Sequence, residues 1–116
     1  VSKDRLYLTH MSECMARIQQ YVAGGRPAFE RSTLVQDGVL RNLQVLAESS
    51  QRVSEQLKRE HPEIDWRGMA GFRNVLVHGY LRIDLDIVWN VIEHDLPDLK
   101  TKTDAILQTL REQSEN

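Results

Sequence analysis

Three side chains able to do chemistry lie close together in this sequence: Arg73, His78 and Tyr80, in the run Arg73-Asn74-Val75-Leu76-Val77-His78-Gly79-Tyr80. A guanidinium grips a phosphate through paired N–H donors, and an imidazole with an ordinary pKa of about 6.5 moves protons near neutrality. A phenol hydroxyl can be covalently modified. The arginine–histidine pair is therefore suited to a phosphodiester.

On RNA, such a histidine can take the proton of a ribose 2′-OH or give one to the leaving 5′-oxygen, while the arginine neutralises charge at phosphorus. This route needs no metal, and the 2′-OH confines it to RNA. The same residues also fit plain structural roles. A histidine in a last helical turn is favoured by the helix dipole, and Tyr80 after Gly79 can be a half-buried aromatic.

The element that carries the three residues is a helix. Asp65 is a fit N-cap before Trp66, the stripe Met69, Phe72, Val75 and Leu76 follows, and Gly79 supplies the stop after His78. At about 100° per residue, Arg73 and Tyr80 fall within about 20° of each other, whereas His78 lies about 140° from Arg73. One rigid helix does not aim both side chains at one point. Either the helix unwinds near His78 and Gly79, or a second copy brings its own arginine and histidine to a shared cleft. Asn74, about 40° from His78, can orient the imidazole.

Other helices must support this one. Tyr7, Met11, Cys14, Ile18 and Tyr21 recur at steps of four and three, the seam of an amphipathic helix from about Lys3 to Ala23. Gly24-Gly25 ends it, and Pro27 keeps the linker from continuing it. Val39, Leu43, Leu46, Val53 and Leu57 share one stripe on a second helix from about Ser32 to Arg59, a rod of roughly 40 Å that should pack antiparallel to the first. After the motif helix, Asp84 or Asp86 can cap a fourth with Val88, Trp89 and Ile92; Pro97 should kink or break it. Leu99, Ile106, Leu107 and Leu110 define a last helix before a polar tail, 112–116, that should fray. The expected fold is all-α, an antiparallel bundle of four to five helices forming one domain over residues 1–116.

Composition sets limits on function. At 41% hydrophobic and 28% charged the chain is a globular protein and not a disordered one, and no stretch approaches the run of about 20 apolar residues that a bilayer span requires. The charged start, Val1-Ser2-Lys3-Asp4-Arg5, lacks the apolar core of a signal peptide, so a cytoplasmic location is expected. A net charge of -2 gives no global field for nucleic acid, yet a local cleft of arginines can hold one phosphate.

The signature Arg73-x4-His78-x-Tyr80, with polar Asn74 after the arginine, resembles the HEPN superfamily and within it the HepT-type toxins of HEPN/MNT toxin-antitoxin pairs. Ile64-Asp65-Trp66, Met69-Ala70-Gly71-Phe72, Ile83-Asp84, Val88-Trp89 and Leu96-Pro97 extend the resemblance over most of the C-terminal half. Phe72 stands where methionine is usual. The resemblance implies a homodimeric, metal-independent endoribonuclease without cofactor, with Arg73 and His78 of both subunits lining the interface cleft. It further implies a toxin of a type VII-like pair, with an MNT-type nucleotidyltransferase antitoxin as partner that uses ATP to place AMP on Tyr80. The alternative within the same resemblance is a non-catalytic, nucleotide- or partner-binding subunit of a nucleotidyltransferase complex.

Remaining candidates are weaker. His10, His61 and His94 have no metal-ligand spacing, so no metal site is expected, and the lone Cys14 sits on an apolar face as a buried thiol. Arg41, Asn42, Glu48 and Arg52 lie on the second helix and can flank the cleft. Glu48 can orient the arginine or histidine, remain a solvated charge, or pair with Arg52 at i,i+4. Trp66 and Trp89 read as core or interface anchors.

Overall fold

The seam read from the first segment is buried in the computed structural model, which describes residues 3–78 and 83–115. Helix α1 spans Asp4–Tyr21 and buries Met11, Cys14 and Ile18, with Tyr7 packed on the edge of the core. Tyr21 behaves differently. It is 42% exposed, and its ring covers Gly38, where a Cβ would come within 3.2 Å of the ring. Glycine is what allows that close approach.

The stretch expected to be a linker is a short helix, α2, Gly25–Arg31. Gly25 enters it with φ +85°, which glycine adopts freely, and Pro27 falls in the first turn, where a missing N–H costs nothing. Phe29 holds the helix down: it is buried, with its ring 5.4 Å from that of Trp89. Seven residues are too few to show a stripe, and the burial that stabilises them comes from a distant tryptophan.

Ser32 caps α3, Thr33–Arg52, by accepting from the Val35 N–H at 3.1 Å. The single rod expected to reach Arg59 is interrupted. Val53 and Ser54 are extended, and α4, Glu55–Glu60, starts anew with the Ser54 hydroxyl accepting from the Leu57 N–H. The cause sits at the start of α1: the Asp4 carboxylate accepts from the Ser54 N–H at 2.7 Å and from its hydroxyl at 2.6 Å. Val53 and Leu57 stay buried across the break, which is why the apolar stripe looked continuous. Asp4 meets the end of α3 and Tyr21 its first half, so α1 and α3 are antiparallel.

Helix α5, Trp66–His78, begins as expected, with the Asp65 carboxylate accepting from the Gly68 N–H at 2.9 Å. It lies along α3 and contributes Leu76 to the core. Asp84 caps α6, Leu85–Asn90, through the Asp86 N–H. Pro97 does not break the path. A π-helical segment, Val91–Asp95, leads directly into α7, Leu96–Glu115, and its wider turn relieves the clash of the proline ring with the carbonyl four residues earlier. Helix α7 thus continues into the segment read as a polar tail.

Leu8, Met15, Val39, Leu43, Leu96 and Ile106 fill the centre of the resulting all-α bundle. Among the described residues there is no strand, and no helix is long and apolar enough to cross a membrane.

Candidate functional site

Arg73 projects from the flank of α5 that faces α3. Its Nη2 lies 3.9 Å from Oε1 of Glu48, the outer limit of an ion pair, and both side chains are about one-third exposed, 34% and 37%. Gln44, one turn earlier on α3, reaches the same Glu48 oxygen with its Nε2 at 3.5 Å. The Nε of Arg73 is buried and has no hydrogen-bond partner among the described residues. A buried donor without a partner is costly, on the order of 1–3 kcal/mol, so this guanidinium is steered by Glu48 without being satisfied by it.

Glu48 contacts Arg73 and Gln44, and no ion pair joins it to Arg52 among the described residues. Gln44 was not singled out from the sequence. Its i,i+4 spacing to Glu48 was the available signal. Arg41 and Arg52 are exposed on the same helix, and the Asn42 amide donates to the Gly38 carbonyl.

The α-helical register of α5 holds through His78, so the positions of Arg73 and His78 stay about 140° apart around the axis. Unwinding does not begin at His78. The imidazole itself, and the whole of Gly79 and Tyr80, lie outside the described residues. Arg67, Gly71, Asn74 and Val75 form an exposed face of α5 that includes the register position of His78. Val75 is 55% exposed, and a Cβ added at Gly71 would meet nothing within 4 Å.

The other candidates resolve into structural roles. Trp89 is buried and donates to Glu93 at 2.9 Å; Trp66 donates to the His61 carbonyl at 2.9 Å. His61 pairs with Glu63 and His94 with Glu93, and no group of three or more metal-ligating side chains occurs among the described residues. Cys14 is buried, and desolvation raises its thiol pKa above the ordinary value, which leaves it protonated and unreactive. A groove of about 470 Å³ runs along the other flank of α5, and neither Arg73 nor Glu48 lines it.

Comparison with known proteins bears on the family of the chain. The family model described as ribonuclease HepT-like matches residues 11–106. A Thermococcus cleftensis protein named "Probable ribonuclease HepT" is 38% identical over 61% of this chain and 64% of its own length. A Methanocaldococcus jannaschii protein, "Gamma-glutamylcyclotransferase and putative RNase", is 26% identical over 97% of this chain, which spans 51% of that relative. The Shewanella oneidensis protein "mRNA nuclease HepT" is 29% identical over 83% of this chain and 90% of its own. No solved structure matches the chain significantly.

Proposed function

The chain belongs to the HepT-like ribonuclease family, and from that premise we propose that it is an endoribonuclease whose site is completed by a second copy. The observation that carries the reading is the state of Arg73: held on one side by Glu48, with donors left over, on a helix that stays regular while His78 occupies a position about 140° away. Two copies of α5 meeting along the exposed face would supply a guanidinium and an imidazole each to one groove. One imidazole takes the 2′-OH proton as the 2′-oxygen bonds to phosphorus. The other gives a proton to the 5′-oxygen as the P–O5′ bond breaks, and Arg73 stabilises the charge between. Asn74, exposed and one turn before His78, orients the imidazole.

In the same proposal the chain is the cytoplasmic toxin of a type VII-like pair, and an MNT-type nucleotidyltransferase silences it by transferring AMP from ATP to Tyr80. The added phosphate competes with RNA for Arg73. The activity itself requires no metal or other cofactor. Purified protein incubated with RNA in EDTA should cleave it, and His78→Ala should not. Equal cleavage by parent and variant would remove His78 from the mechanism. A parent that does not cleave RNA but acquires AMP, lost in Tyr80→Phe, would support the partner-binding alternative instead.

A further inference from the structure

The groove on the far flank of α5 has an apolar floor and an acidic rim. Leu43 and Leu46 of α3, Ile64, Met69 and Phe72, and Leu99 of α7 form the floor. On the rim, Glu63, Asp65, Asp95 and Asp98 oppose one ammonium, Lys102. That ammonium is already engaged, by Asp98 at 2.8 Å and by the Glu63 carbonyl at 2.9 Å. The Asp65 carboxylate accepts from the Gly68 N–H, and neither it nor the Asp95 carboxylate has a cationic partner among the described residues. The π-helical segment helps build this wall. Val91, His94, Asp95, Asp98, Leu99 and Lys102 recur at helical spacing along one face of the π segment and α7.

We propose that this groove docks a helix of a partner protein that presents a lysine or arginine flanked by aliphatic side chains. The argument is charge complementarity over an apolar floor. A lysine or arginine lays a hydrocarbon stem on Leu46, Met69 and Phe72 and brings its charge to Asp65 and Asp95, the two rim carboxylates without a cation. Neighbouring aliphatic side chains cover the rest of the floor. The volume, about 470 Å³, admits inserted side chains but not a helix about 10–12 Å across, so the partner's backbone rides over the groove. Excess carboxylate disfavours RNA and anionic lipid at this face. On the wheel, Phe72 lies about 100° from Arg73, so docking leaves the Arg73 flank open and does not depend on the RNA reading.

The test uses the full chain and a fluorescent synthetic helix of about 15 residues, long enough to be helical, with lysine and leucine on one face. Its anisotropy should rise saturably with protein. Asp65→Asn with Asp95→Asn, the asparagine at 65 still able to cap α5, should weaken binding roughly tenfold, and raised salt should do the same. Asp37→Asn, an exposed acid outside the groove, should bind like the parent. Any of three binding results would overturn the proposal. One is no saturable binding; another is equal binding by the double variant; the third is equal binding of a glutamate/leucine helix of the same pattern. Sedimentation of the parent and double variant separates out a second copy as occupant: a loss of self-association in the variant would also overturn it. None of these readouts involves RNA cleavage.

Discussion

Carboxylates tie neighbouring helices together at the start and the middle of α1, and another stands between α3 and α5, yet they are used in opposite ways. Asp4 grips Ser54 through two hydrogen bonds of 2.7 and 2.6 Å, and Asp104 of α7 takes 2.6 Å hydrogen bonds from both Ser12 of α1 and Lys100. Glu48 stands 3.9 Å from Arg73, whose Nε has no partner among the described residues. At these scaffold contacts the carboxylates are satisfied inside the chain, although the buried Thr103 hydroxyl of α7 has no partner among the described residues. Where α3 meets α5, a cation is positioned and left with capacity for something else.

Breaking each contact should therefore produce effects of different kinds. The largest is expected at Arg73. Arg73→Ala should lower RNA cleavage on the order of 10²–10³-fold, the cost of removing one charge-stabilising donor, while thermal unfolding shifts within about 0.5 kcal/mol. A comparable loss of stability would make Arg73 scaffold and dissolve the contrast. Next comes Asp4→Ala, which strands the Ser54 N–H and hydroxyl and should cost about 1–3 kcal/mol in urea unfolding without altering cleavage.

The smallest effect is expected at Asp104. Burial opposes its ionisation, but hydrogen bonds from Lys100 and Ser12 outweigh burial and hold its pKa below the ordinary carboxylate value. A depressed carboxylate contributes stability above its unfolded pKa of about 3.9, and that contribution is lost as pH falls through its lower folded value. Asp104→Asn should thus cost well under 1 kcal/mol near neutrality, since the group is 43% exposed and screened. Urea titrations across pH should show the difference from the parent closing below about pH 4; a difference that stays constant down to pH 2 would refute the assignment.

Signals that were local proved readable. Asp65 and Asp84 each cap the helix that follows them, because a cap bonds to a backbone N–H two or three residues on. The seam Met11, Cys14 and Ile18 is buried because its period reports the face. What the sequence could not disclose depended on distant partners. The break at Val53–Ser54 is enforced by Asp4, and α2 is held by Phe29 against Trp89, 60 residues on. Pro97 announced an irregularity without saying that a π turn would absorb it. At the site, Glu48 had a local candidate in Arg52 and a distant one in Arg73, and only packing of α3 on α5 decides between them.

The central claim is that arginine and histidine act from two copies of the same helix. Arg73→Ala and His78→Ala, each inactive alone, can be mixed after partial unfolding and refolded together so that subunits exchange. If the site is shared, mixed dimers hold one intact arginine and one intact histidine around one groove, and RNA cleavage should exceed the sum of the two separate variants by roughly tenfold or more while staying below the parent, since one of the two imidazoles is missing. Cleavage no greater than the sum of the two separate variants, with mixed dimers demonstrated by mass, would contradict the account.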